Sequence, residues 1–154
     1  MVGKQGGRRI PMTEFFTGPF TTALKAGEIL TEIRVPIPPP RSGGAYLKLE
    51  RKVGDFATAG VAAQITLSET GALARVGIGL TNVGPIPIKA RKAEKFLQGK
   101  RPDDTTIKQA GELAAGESQP SADLRGPAEY KRDLVRVLTG RALKKAVERA
   151  TGGR

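Results

Sequence analysis

The 154 residues include no cysteine and no histidine, so the chemistry open to this chain is narrow. Without thiols there is no disulfide, no thiol nucleophile, and no thiolate ligation of zinc or of an iron–sulfur cluster by this chain. Without imidazoles there is no serine–histidine pair, no histidine general base and no ordinary transition-metal site. Carboxylates, lysines, hydroxyls and backbone groups remain. The most informative run is YLKLERKVGDFAT, from Tyr46 to Thr58. Within it Asp55 follows Gly54, as a turn-forming carboxylate that bonds the local backbone does. Phe56 stands where an extended run begins, the position of a core aromatic. Lys48 projects from a strand, the setting of a solvated lysine. Leu30, in GEILTEI, reads as an ordinary strand leucine, and Asn82, in LTNVGP, as a residue satisfying backbone groups where a strand ends. Taken alone, each of these residues has a structural explanation.

The elements that must position them follow from periodicity and punctuation. PIPPPRSGG, from Pro36 to Gly44, cannot continue a helix or a central strand and divides the chain as a linker. The segment before it is too short to bury a core alone. It predicts a strand near Arg8 to Pro11, a short helix or turn from Thr13 to Phe16 with Thr13 as N-cap, a turn at Lys25 to Glu28, and a strand from Ile29 to Val35. Phe15, Phe16 and Phe20 find too few partners there, which implies that another body covers them. After the linker, Ala45 to Lys52, Phe56 to Leu67 and Leu73 to Val83 alternate as three strands of an antiparallel meander. A hairpin at Ser68 to Gly71 joins the last two. Val61, Ala63, Ile65 and Leu67 share a face.

Three helices complete the pattern. Lys89 to Gln98 starts after two prolines and stops before Gly99; a second begins at the N-cap Asp103 and runs to Gly116; a third begins at Pro127. In the third, Tyr130, Leu134, Val137, Leu138, Ala142 and Ala146 form the apolar stripe, and Gly152 with Gly153 ends it. The expected fold is α+β: a three-stranded antiparallel sheet with three helices packed on one face.

Composition sets the partner classes. The formal net charge is +11. Such a balance suits nucleic acid or another polyanion, an acidic protein neighbour, or plain solubility in a thermophile. Nucleic acid is disfavoured, because the basic residues are dispersed and not interleaved with aromatics as base-stacking surfaces are. No apolar run reaches the ~20 residues of a membrane helix. MVGKQGGRRIP carries charge without the hydrophobic region of a signal peptide, so a cytoplasmic setting is expected.

Tyr46 to Thr58, IGLTNVGP from Ile78 to Pro85 and RGPAEYKR from Arg125 to Arg132 occur in an order and spacing that identify a family. They resemble the C-terminal half of the FAD-carrying medium subunit of molybdenum hydroxylases, the carbon monoxide dehydrogenase and xanthine dehydrogenase family. FFTGPFTTALKAGEILTEIRVPIPPP resembles the end of that family's second FAD-domain lobe. On this reading residues 1–40 are that remnant with its proline-rich linker, and residues 41–154 are the C-terminal domain of the flavoprotein. The resemblance covers about Arg8 to Ala146. It departs at the front: the family's FAD diphosphate rests on two glycine-rich loops in the N-terminal half, where backbone N–H groups cradle phosphate. The pairs Gly6-Gly7, Gly43-Gly44 and Gly152-Gly153 lie at termini or beside the linker and form no such loop. The chain alone is therefore expected not to hold FAD tightly. Either a separate polypeptide supplies the other half or the chain is a fragment; the initial Met favours a genuine start.

The resemblance also implies roles. Phe56 would lie against the isoalloxazine ring, without the hydroxyl a Tyr would bring. Asp55 would put a carboxylate near the flavin edge. Lys48 would bond the flavin and stabilise its reduced, anionic form, although a shift of one residue would place Leu47 there instead. Leu30 would contact the ring. Lys131, Arg132, Arg136, Arg141, Lys144, Lys145 and Arg149 form a basic helix face that is either solvated or docked on an acidic neighbour. The implied partners are the N-terminal FAD-binding half, a small subunit with iron–sulfur clusters and a large subunit with molybdopterin. The chain itself would supply no acid, base or nucleophile. A stand-alone basic module binding polyanions, and an assembly domain without flavin contact, are the alternatives.

Overall fold

The computed structural model describes residues 1–152 and resolves into two units, Met1–Ile37 and Pro38–Arg154. In the first unit, strands β1 (Val2–Gly3) and β2 (Gly6–Gly7) form a minimal hairpin, and β3 (Phe16–Gly18) pairs with β4 (Thr21–Thr22). No strand forms at Arg8 to Pro11. Arg8 instead turns its N–H onto the Met1 carbonyl at 2.9 Å, and Pro11 has no N–H for a ladder. Thr13 caps nothing. Pro11, at φ −60°, is the N-cap of a single 3-10 turn over Met12–Glu14, its fixed φ setting the turn's start. The turn at Lys25 to Glu28 is present, with Gly27 at φ +79°.

The strand expected over Ile29 to Val35 reduces to one bridge, Val2 to Ile29. Beyond it residues 30–37 form no strand and have no ladder partner among the described residues. An extended segment becomes a strand only when a neighbour supplies donors and acceptors. Its apolar side chains stay in solvent: Ile33, Val35 and Ile37 are all exposed. Phe15 and Phe16 pack edge to face with ring centroids 5.1 Å apart, and Phe20 is fully exposed at φ +54°.

The second unit is an α+β domain. Its sheet has four strands in the order β5 (Ser42–Leu49), β6 (Ala59–Leu67), β7 (Leu73–Thr81) and β8 (Ile88–Lys89), all antiparallel. The fourth strand corrects the expected three. Ile88 and Lys89 sit beside Pro87; the helix expected to open at Lys89 opens at Arg91 instead. Two residues are too few for alternation to show, yet they pair with Leu80 and Gly79. β6 begins at Ala59 rather than Phe56. Ala59, Val61, Ala63, Ile65 and Leu67 are buried on one face, with Ala62 and Gln64 exposed on the other. Each fully buried Val, Ile or Leu here stabilises the fold by roughly 1.5–3 kcal/mol.

Helix α1 (Arg91–Leu97) packs against β7, α2 (Asp104–Glu117) against α1 and α3, and α3 (Ala128–Ala150) across β5 and β6. Asp103 caps α2, its carboxylate accepting the Thr106 N–H at 2.7 Å. Glu117, at the far end of α2, accepts from the N–H groups of Lys92 (3.0 Å) and Ala93 (3.2 Å) at the start of α1. The buried stripe of α3 is Val135, Leu138, Ala142, Leu143, Ala146 and Ala150, with Lys131 and Thr139 beside them. Tyr130 and Val137, expected inside, are exposed; Lys131, expected on the basic face, is buried. Pro127 stands at the N-cap of α3, one position before the expected first turn. At its other end Gly152 takes φ +93°, and Gly153 lies outside the described residues.

Candidate functional site

β5 runs out at Leu49 into a loop that returns at Ala59. Two hydrogen bonds close its base: Thr58 N–H donates to the Leu49 carbonyl at 2.7 Å, and the Asn82 amide donates to the Ala57 carbonyl at 2.7 Å. Asn82 thus does satisfy backbone groups at the end of β7, from a left-handed φ of +61°. The loop tip turns at Gly54, φ +86°, where the Asp55 N–H reaches the Lys52 carbonyl at 3.1 Å. Val53 beside it lies in solvent, so the tip has no apolar anchor.

Asp55 organises that tip. Its Oδ1 accepts the Phe56 N–H at 2.8 Å and an Arg125 Nη2–H at 3.2 Å, while Arg51 Nε lies 3.5 Å from Oδ2. The Phe56 N–H first, then the Arg125 and Arg51 guanidiniums, hold the Asp55 carboxyl below the usual carboxylate range. Phe56 is not a core aromatic: 78% of its surface is exposed. Its ring faces outward with the Arg125 guanidinium carbon 6.0 Å from the centroid, at the outer limit for a cation over an aromatic face. Lys48, on the outer face of β5, pairs with Glu50 and reaches the Asp55 carbonyl at 3.5 Å. The Glu50 carboxylate keeps its ammonium above the ordinary value. Leu47, the other register choice, packs against the core instead.

Lys48, Asp55 and Phe56 are therefore one cluster. Leu30 belongs to the first unit, where it is part-exposed and lines an apolar groove of about 350 Å³ with Ile10, Met12, Phe15 and Ile33. Arg125 went unrecognised as a site residue. In the sequence it is one of 26 basic residues, and nothing in RGPAEYKR announces a partner 70 positions away.

The basic face of α3 is largely spoken for within the chain. Lys131 bonds Asp123, Arg136 bonds Glu112 and Asp133, Lys144 bonds Asp104, and Arg149 donates to the Gly44 carbonyl. Arg141 and Lys145 are exposed. Among the described residues there is no cluster of acidic side chains that could hold a metal, and no helix long and apolar enough to cross a membrane. What the cluster can do chemically is bind: an outward aromatic face suits a flat conjugated ring, and the cations around it suit negative charge.

Comparison with known proteins gives the family. Residues 1–38 match the family model of the FAD binding domain in molybdopterin dehydrogenase. Residues 44–146 match that of the CO dehydrogenase flavoprotein C-terminal domain, which places the chain in the flavoprotein class. The carbon monoxide dehydrogenase medium chain of Afipia carboxidovorans is 41% identical over 150 residues, 97% of this chain and 52% of that one. The corresponding chain of Hydrogenophaga pseudoflava is 37% identical over 94% of this chain and 50% of its own length. A crystal structure of the Cu,Mo-CO dehydrogenase superposes with a TM-score of 0.91 at 40% identity, covering 96% of this chain and 51% of that chain. Quinoline 2-oxidoreductase from Pseudomonas putida 86 gives a TM-score of 0.86 at 31% identity, over 96% of this chain and 50% of its own. The chain belongs to the CO dehydrogenase flavoprotein C-terminal domain family, as its motifs led us to expect. It spans about half the length of the curated relatives it matches.

Proposed function

We propose that this chain is the C-terminal portion of the medium, flavoprotein subunit of a molybdenum hydroxylase, working in the cytoplasm as part of an oxidoreductase. Residues 1–40 end the second lobe of the FAD-binding domain, and residues 41–154 form the C-terminal domain that closes over the flavin. The half of the subunit this chain does not span would hold the FAD diphosphate. Bound FAD would supply redox chemistry between the iron–sulfur clusters of a small subunit and an external acceptor, with substrate oxidation at the molybdopterin of a large subunit.

The chain's own residues act by position and charge. Phe56 covers the ring and excludes water from it. Lys48 presents a hydrogen-bond donor with a charge that Glu50 stabilises. Asp55 stays ionised beside two arginines and fixes the electrostatics at the ring's edge. Leu30 adds an apolar contact from the first unit.

One observation carries this reading: a large aromatic is held mostly in solvent on a loop whose carboxylate accepts both the ring residue's own N–H and the Arg125 guanidinium from outside the loop. Exposing it is unfavourable unless something flat covers it. Reconstitution tests the proposal. The chain alone should lose all flavin absorbance on dialysis. Mixed with the unmatched half of the Afipia medium chain and FAD, it should retain flavin through gel filtration, and Phe56→Ala should change the rate of flavin reduction. Stoichiometric FAD on the isolated chain, or no effect of Phe56→Ala in the reconstituted protein, overturns it.

A further inference from the structure

We infer that Arg125 is the positioning residue for Phe56, tying the Asp55 loop to the start of α3 so that the aromatic ring is presented in one orientation. The consequence at the flavin rests on the function proposed above; the tie itself does not.

The loop between Leu49 and Ala59 is secured at its base by Thr58 and Asn82, but its tip has no buried apolar side chain. The tertiary contacts of the tip are polar and run through Asp55. The same oxygen, Asp55 Oδ1, receives the Phe56 N–H and the Arg125 guanidinium, so Arg125 acts on the residue that fixes the Phe56 backbone. Arg51 is also within reach of Asp55, but it lies on the loop itself and moves with it. Arg125 comes from elsewhere, and its side chain is only 25% exposed.

Arg125 is in turn held. Its N–H donates to Asp123 Oδ1 at 2.8 Å, in a tight turn closed by Asp123 and Gly126 bonding each other's backbone. Gly126 takes φ +138°, and a Cβ there would sit 2.8 Å from the Tyr130 ring that packs on it. Asp123 Oδ1 also pairs at 2.8 Å with Lys131 Nζ, which reaches the Ser121 carbonyl at 2.8 Å as well. Lys131 is 3% exposed, so its ammonium depends on these partners. A continuous polar path therefore runs from buried Lys131 on α3 through Asp123 and Arg125 to Asp55 and the Phe56 N–H. It joins two segments, Tyr46 to Thr58 and Arg125 to Arg132, that the sequence keeps far apart. Such a path transmits position because each member is held by the one before it.

The test uses the full chain, isotope-labelled for NMR, with Arg125→Ala, Arg125→Lys and Lys131→Met. In the parent chain the Phe56 amide should be rigid, with an order parameter near ~0.85, and in Arg125→Ala it should fall below ~0.6. The Asp55 carboxyl pKa should rise in the same variant, because one cation is gone. Arg125→Lys should restore much of both, since it keeps a charge within reach. Lys131→Met should loosen the Phe56 loop in the same direction while keeping the buried stem. An Arg125→Ala variant with unchanged order at residues 51–57 overturns the inference, as does a loss of order spread evenly over the whole domain.

In the reconstituted flavoprotein, Arg125→Ala and Phe56→Ala should alter flavin reduction together, and the double variant should be no worse than the more affected single one. Additive effects overturn the inference even where Phe56 matters. If neither single variant changes flavin reduction, the proposed function of Phe56 fails, and loop order alone decides the role of Arg125.

Discussion

Gly43 seats β5 against α3. A Cβ built there would lie 2.0 Å from the Ala146 carbonyl oxygen and 2.6 Å from the Ala150 N. Ordinary non-bonded heavy-atom contacts fall near 3.5–4.0 Å, so Gly43→Ala requires strand and helix to part by more than ~1 Å. No rotamer change can relieve the clash, since both neighbours are backbone. The helix surface that must lift carries Ala142, Leu143, Ala146 and Ala150, all buried. Overpacking of this kind costs about 1–3 kcal/mol, and the rigid partners place Gly43→Ala toward the top of that range. Restricting the unfolded chain returns ~0.4–1 kcal/mol. The net expectation is a loss of ~2 kcal/mol, read as a fall in Tm of roughly 6–10 °C for a domain of this size. The control is Gly79→Ala in β7, where a Cβ meets nothing within 4 Å. Far-UV circular dichroism with thermal and urea denaturation measures both. Equal stability of the two variants refutes the argument that the β5–α3 approach is fixed by the absence of a side chain.

Two further expectations concern charge and capping. The Arg8 guanidinium, with help from the Lys25 N–H, lowers the Glu28 carboxyl from 4.5 to about 2. A depressed folded-state pKa gives stability that is present above the unfolded value and lost as pH falls through the folded one. The first unit should accordingly loosen between about pH 4.5 and 2, with Glu28→Gln abolishing that dependence in amide-exchange measurements. Asp103→Ala removes the bond to the Thr106 N–H and should cost about 1 kcal/mol, whereas Asp103→Asn should cost much less, as urea titration of each variant will show.

The parts of the fold that the sequence made legible are those where a pattern repeats often enough to be read. Val61, Ala63, Ile65 and Leu67 alternate over a whole strand, and all are buried as expected. Asp103 has the right side chain immediately before a helical run, and it caps. The misreadings have the opposite character. β8 is two residues long, below the length at which alternation exists. The stripe of α3 differs from expectation because Tyr130 and Val137 are apolar but lie on the open side. Lys131 is buried because Asp123 and the Ser121 carbonyl compensate its ammonium, and no helical period encodes a partner in a preceding turn. Ile29 to Val35 reads as a strand because its residues suit one, but periodicity describes a surface to be paired and says nothing of whether the pairing chain is present.

The site shows the same division between local and distant information. Lys48, Asp55 and Phe56 came out of one contiguous run, and their clustering follows from a short loop between paired strands. Composition alone misplaced Phe56. An aromatic at the edge of an apolar run belongs in a core by default, and only the resemblance gave a reason for it to face outward. Its exposure becomes intelligible once Arg125 is added: a loop without an apolar anchor can hold a ring in solvent only if polar contacts fix its backbone, and here those contacts converge on one carboxylate oxygen. That convergence links residues 70 positions apart, so it is a property of the folded chain. The segment around Phe56 presents the ring, and the segment around Tyr130 supplies the guanidinium and the buried lysine tied to it, so on the inference above a change in either should release the same loop.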